Sequence, residues 1–413
     1  MFVIKTNILT PLSDKSLFYK ANQYLTIDKS QIIEISSQPA SEDYLDYSNT
    51  VCFPGFIDLH VHLSQLRVRG KHARGLLQWL NNYIFTEEHK SADPQFASDL
   101  AGQFFATLSA SGTTTAVVYV APDPGACDIA FQKARAAELR IIMGQTLMDR
   151  NCPENLCRDT EQSLEEAITL YKKWNQATPL LEYVFTPRFA PVCSPELMKG
   201  IGEFAATNNA YIQTHLSENK QEIKWVQEVF PDSQNYTEVY EKYGILGEKT
   251  LLGHAIHLSD QELAMISQKK SKITHCPDSN FFLHSGTFPL QRVLDQEIDF
   301  GLGSDVGAGT SLYMPQIMKM FIYRQEGYHV SLAEALYYST LGAAKVLEKE
   351  HLIGSIEKGK EADLVFIRLP KNIERNSDDI LSYVIYLSTS ADVAATYVAG
   401  KECYKNKINN QPN

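Results

Sequence analysis

The sequence predicts an α/β fold: a distorted (β/α)8 barrel of the TIM type, flanked by a small β-sheet domain built from both chain termini. Three observations predict it. From residue 54 onward, short apolar runs alternate with longer segments of helical period, as parallel strands joined by crossover helices do. Eight such runs are present, which favours a closed barrel over a doubly wound open sheet with the same local pattern. Both ends of the chain are instead short, β-rich and punctuated by Gly and Lys.

Taken in order, residues 1–53 form the first part of the small domain, with "YLTIDKSQIIEIS" as its strand-rich core. Residues 54–353 form the barrel. Its strands are "FIDLHVH", "TTTAVVYV", "RIIMGQTLM", "LLEYVFTPRF", "AYIQTHLSE", "TLLGHAIHLS", "SKITHCPDSN" and "DFGLGSDV". Between them lie amphipathic segments such as "SLEEAITLYKKWNQ" and "NKQEIKWVQEVF". A third, "SDQELAMISQKK", opens with a capping box, Ser259 followed by Glu262. Residues 354–413 return to the small domain through "GSIEKGKEADLVFIRL" and "AATYVAGKECY", and the polar tail "KNKINNQPN" is expected to fray.

Composition narrows the function. A net charge of -11 with no basic block would repel a phosphate backbone, so nucleic acid is not an expected partner. The seven cysteines are scattered, odd in number and lack CxxC spacing, which suits reduced thiols in a cytosol. The N-terminal "MFVIKTNILTPLSDKS" lacks the continuous apolar stretch of a signal peptide, and no apolar run is long enough to cross a bilayer. A cytoplasmic protein without a membrane partner is expected.

In such a barrel, chemistry gathers where the strands end and the βα loops begin. His60 and His62 end the first strand, two residues apart and so on one face. Arg188 ends the fourth, His215 the fifth, His254 the sixth and Asp305 the eighth. A single histidine at a strand end is usually a hydrogen-bonded structural residue, and Asp305 among glycines could cap a turn. Five strands that each deliver a metal-type or charged side chain to one rim are harder to explain that way. His60, His62, His215 and Asp305 would hold zinc or iron with a position left for water, whose pKa falls from about 15.7 to near 7 when so bound. "TPRF" contains no lysine that could be carboxylated to bridge a second ion, so one metal is inferred.

A leaving amine must also be protonated. Glu218, three residues beyond His215, could carry a proton from water to substrate, or could be a first-turn Glu favoured by the helix dipole. His254 could bond the attacking water or an oxyanion. His257, His275 and His284 take structural readings, and Trp79 is either a core anchor or part of a lid.

The motifs "PGFIDLHVH", "THLSE", "GHAIHLS", "THCPDSN", "GLGSDV" and "GSIEKGKEADLVF" together resemble the amidohydrolase superfamily. "HLSQ", "LLQWLNNYIFTEEHK", "TPRF" and "SENKQEIKWVQEVFPDSQNYTEVY" are similar to its guanine-deaminating members. Ser304 stands where that family often has threonine, and "VGAG" replaces a similar turn of small residues. The resemblance implies metal-dependent hydrolysis of guanine to xanthine and ammonia, in a homodimer. It would assign one Zn²⁺ per subunit, with Fe²⁺ as the alternative, to His60, His62, His215 and Asp305, the last also catalytic. Glu218 would transfer protons, and His254 would serve water or substrate, with His215 beside it. Gln65, Arg188, Phe189 and Trp79 would surround the base. An Arg fork matches the O6 and N7 acceptors of guanine, and a Gln amide offers one donor and one acceptor. A sister amidohydrolase acting on a triazine, pterin, oxidised guanine or cytosine-like ring, and a non-catalytic scaffold, are the alternatives.

Overall fold

A computed structural model describes residues 1–73, 75–325 and 327–407; the end of the polar tail, 408–413, lies outside the described residues. Four strands precede the barrel: β1 (Phe2–Ser13), β2 (Ser16–Asp28), β3 (Gln31–Ser36) and β4 (Leu45–Pro54). The barrel strands are β5 (Phe56–His62), β6 (Thr113–Val120), β7 (Arg140–Leu147), β8 (Leu181–Pro187), β9 (Tyr211–Leu216), β10 (Thr250–His254), β11 (Lys272–His275) and β12 (Phe300–Leu302). Each of the eight apolar runs contains one of them, and they pair in sequence order, all parallel. The ladder does not continue from β12 back to β5. The ring closes just beyond β12 instead, where Asp305 N donates to His60 O (2.7 Å) and His62 N donates to Val306 O (2.8 Å). Asp58 adds a side-chain clamp, accepting from Ser304 N at 2.9 Å.

The small sheet takes three more strands from the end of the chain: β13 (Leu364–Arg368), β14 (Val393–Val398) and β15 (Lys401–Lys405). Its order is β15-β14-β13-β4-β1-β2-β3, so the two termini meet where β13 pairs antiparallel with β4. Alternation with period two gives this sheet two apolar faces. Val51, Phe53, Val365 and Ile367 join the main core with the barrel's outer surface, while Cys52, Leu364 and Phe366 build a second core with Ile4, Ile8 and Leu25. Strands β1 and β4 were not among the expected ones, because their apolar residues are diluted by Lys, Asn and Ser. The amphipathic segments form helices Thr160–Trp174, Lys220–Val229 and Asp260–Gln268, the last with the expected capping box.

One buried cation ties the two sheets together. Arg140, at the start of β7, donates to Asp363 Oδ2 (3.2 Å) and Glu361 Oε2 (2.5 Å), just ahead of β13. Arg140→Met would strand two carboxylates with little water to replace the lost partner. We expect a loss of about 3–5 kcal/mol in unfolding free energy, read by urea titration, with activity at low temperature retained.

Candidate metal centre and active-site cavity

Strand β5 delivers its histidines through an irregularity. Its pairing with β6 shifts register between Asp58 and Val61, and such a bulge re-aims the residues that follow. Ile57, below the bulge, and Leu59, within it, pack in the barrel with Val117, Ile142, Val184 and Leu251. Beyond Leu59, even-numbered His60 and His62 point inward instead. Two glycines make room. A Cβ on Gly303 would stand 2.6 Å from His60 Cβ, and one on Gly253 would stand 2.7 Å from His60 Cε1.

His60, His215, His254 and Asp305 each offer one ligand atom, all within 4.8 Å of one another. Atoms bound to one ion at roughly 2.1 Å stand at most about 4.2 Å apart, so the group is close to ligation distance. His62 stands beside it: its Nε2 is 3.1 Å from Asp305 Oδ1 and 3.4 Å from His215 Nε2. The distances therefore bring all four expected ligands together and add His254 as a fifth neighbour. Asp305 spends its carboxylate on these histidines, with Oδ1 also 3.4 Å from His60 Nε2. The turn after it is closed by its backbone, since Gly309 N donates to Asp305 O.

Second partners orient the rings. His215 Nδ1 lies 2.6 Å from Arg188 O, and a carbonyl only accepts, so Nδ1 carries the proton and Nε2 keeps its lone pair for the centre. His254 Nδ1 is likewise 2.8 Å from Asn280 Oδ1. Burial lowers the pKa of His60 to about 4 and pushes His215 well below its ordinary value, keeping both neutral. Nε2 of His60 and of His254 are buried and make no hydrogen bond among the described residues. The unpaired Nε2 of His60, converging with the Nε2 lone pair of His215 beside a carboxylate, fits a divalent cation. Backbone strain gathers here too: Ser217, His254, Ala255 and Asp305 have φ of 49°, 67°, 51° and 47°, where residues with a Cβ rarely sit.

Glu218 is buried beside His254, its Oε2 3.5 Å from His254 Nε2, while Oε1 accepts from Ser285 Oγ at 2.8 Å. Burial raises its pKa against the pull of His254. It is not a first-turn residue. The helix is capped by Asn219, and Glu222 closes the capping box, also accepting from Glu218 N at 2.9 Å. The dipole explanation thus belongs to Glu222, leaving Glu218 turned into the cavity. The spacing of Asn219 and Glu222 carries that signal in the sequence.

The cavity above the centre, its open mouth included, holds about 410 Å³ of space free of atoms. His62, Gln65, Trp79, Arg188, Phe189, His215, Glu218, His254 and Asp305 all line it, whereas His60 does not. Its cover is the segment after β5, including helix Leu76–Trp79, a wider π turn over Leu80–Ile84 and helix Phe85–His89. Trp79 packs with Leu80, Ile84 and Leu283, donates from Nε1 to Lys71 O at 2.7 Å, and lines the cavity. Phe189 is braced edge-on by Trp225 at 5.7 Å. Arg188 is not a surface group: it is 3% exposed and paired with Glu88 at 2.6 Å. His257 Nε2 bonds Ser285 O and His275 stacks on Phe288, and neither belongs to the group of converging ligand atoms. Glu88 lies in "LLQWLNNYIFTEEHK" and Asn280 in "THCPDSN", yet neither motif names the residue's partner, and Ser285 falls outside the motifs.

The Amidohydrolase family profile matches residues 51–403. A guanine deaminase of Escherichia coli K12 is 36% identical over 371 residues, covering 87% of this chain and 84% of that protein. The solved structure of an E. coli guanine deaminase superposes with a TM-score of 0.94 at 32% identity, covering 98% of this chain and all of that one. The structure of a guanine deaminase from C. acetobutylicum with guanine bound in the active site gives 0.93 at 29% identity, with the same coverage.

Proposed function

Since the chain belongs to the amidohydrolase family, we infer that it hydrolyses guanine to xanthine and ammonia, with His60, His62, His215 and Asp305 holding one divalent cation. Zinc suits three imidazoles and a carboxylate, and ferrous iron suits the same set. The observation that carries this reading is the extent of the likeness: relatives and structures named for guanine deamination match nearly the whole chain. The cation would supply a water made acidic enough to attack near neutral pH.

The residues of the chain do the rest. Arg188 and Gln65 bind the polar edge of the base, and Phe189 and Trp79 enclose its faces. Water oxygen adds to C2 as the C2=N3 double bond opens; Glu218 takes one of that water's protons and returns it to the 2-amino nitrogen, while the second proton ends on N3. The C2–N bond then breaks, ammonia leaves, and the oxygen stays on xanthine. His254, 3.5 Å from Glu218, holds charge building at the attacked centre. Seven free cysteines agree with a cytoplasmic setting, and a homodimer is proposed from the resemblance. Metal-loaded protein should release ammonia from guanine well ahead of any other purine, pyrimidine or triazine in a panel. A triazine or pterin leading the panel would overturn the assignment.

A further inference from the structure

This inference rests on the deaminase reading and deepens it. Arg188 and Gln65 come from different strands' ends, yet both terminate on one carboxylate. Glu88, on helix Phe85–His89, accepts from Gln65 Nε2 at Oε1 (3.0 Å) and from Arg188 Nη1 at Oε2 (2.6 Å). All three side chains are buried, so water does not compete for these contacts.

A carboxylate only accepts, whereas an amide has a donor end and an acceptor end. Gln65 is therefore held with its nitrogen toward Glu88, and its Oε1 accepts from Gly307 N at 3.3 Å. A flipped amide would set oxygen against oxygen at one end and N–H against N–H at the other. The guanidinium is steadied by Phe85, its carbon 5.4 Å from the ring centroid, on the same helix as Glu88. What is left for a ligand is a row of donors: the second amide hydrogen of Gln65 and the guanidinium N–H groups not turned to Glu88.

We propose that Glu88 is a positioning residue for base selection, locking Gln65 and Arg188 as donors so that the cavity takes an edge made only of acceptors. Guanine offers that edge with O6 and N7, while adenine presents an amino donor in place of O6. Selectivity then comes as much from the donor-on-donor clash with the wrong base as from bonds to the right one.

The test is Glu88→Gln in the metal-loaded enzyme. The new carboxamide must turn its own N–H groups toward Gln65 or Arg188, so one of the two contacts is lost. KM for guanine should rise about 10- to 100-fold, with kcat within about threefold of wild type, metal stoichiometry unchanged, and adenine a relatively stronger competitor. Glu88→Asp keeps an acceptor-only group and should recover part of the loss in KM. An unchanged KM in Glu88→Gln, a loss confined to kcat or metal content, or no recovery in Glu88→Asp each overturns the proposal. If Glu88→Gln does not fold, Glu88→Asp decides: a raised KM with kcat kept supports the role, and a wild-type KM overturns it. Wild-type enzyme that releases no ammonia from guanine sinks the deaminase reading and this assignment with it. An active wild type with an unaltered Glu88→Gln removes Glu88 alone.

Discussion

Glu218→Gln is expected to lower kcat on the order of 10²- to 10⁴-fold, the usual share of a positioned acid or base, while metal content and melting temperature stay at wild-type values. The substitution is nearly isosteric, and its amide oxygen can still accept from Ser285 Oγ as Oε1 does. Only the capacity to take and return a proton is removed. Buried beside His254, with a pKa raised by desolvation, the native carboxyl is poised for both transfers. Ammonia release measured alongside metal analysis gives the answer. Turnover surviving within a few-fold would strip Glu218 of this role, and loss of the metal would recast it as part of the centre.

Arg188→Ala carries the second large effect. The substitution removes donors to the base and leaves Glu88 buried with Gln65 as its remaining side-chain hydrogen-bond partner among the described residues. KM for guanine should rise about 100-fold or more, since charge-assisted bonds to a buried site are the strong ones, and discrimination against adenine should erode with it. Steady-state kinetics on both purines would decide. Selectivity that stays unchanged means that Arg188 does not read the ring. Because the two residues share one ion pair, Arg188→Ala combined with Glu88→Gln should cost less than the sum of the single changes.

Much of the barrel was legible because its signals are local. Strands β5 to β12 each fall within an apolar run bounded by polar residues, and a strand fully buried on both faces must be written that way. The two-residue spacing of His60 and His62 likewise settles that they share a face. Strands β1 and β4 escaped because polar residues interrupt their apolar pattern, some of them buried and satisfied within the fold, as Asn7 is by donating to Ser48 O and Thr50 O. The helix start at Asn219 could have been read from its capping spacing, and would have moved Glu218 out of the helix.

By itself, then, the sequence determined the alternation of strands and helices, the strand end at which each terminal His, Arg or Asp stands, and a net charge of -11. These follow from periodicity and charge, which need no knowledge of distant neighbours. Tertiary structure alone decided that Leu59 and His60 both turn inward across a bulge, that Asp305 and Val306 close the ring onto β5, and that Asn280 orients His254. It also decided that Glu88 faces a guanidinium 100 residues away. The reason is physical: a buried polar group must find its partner wherever the fold brings one within about 3 Å, and that partner leaves no mark at any fixed spacing along the chain.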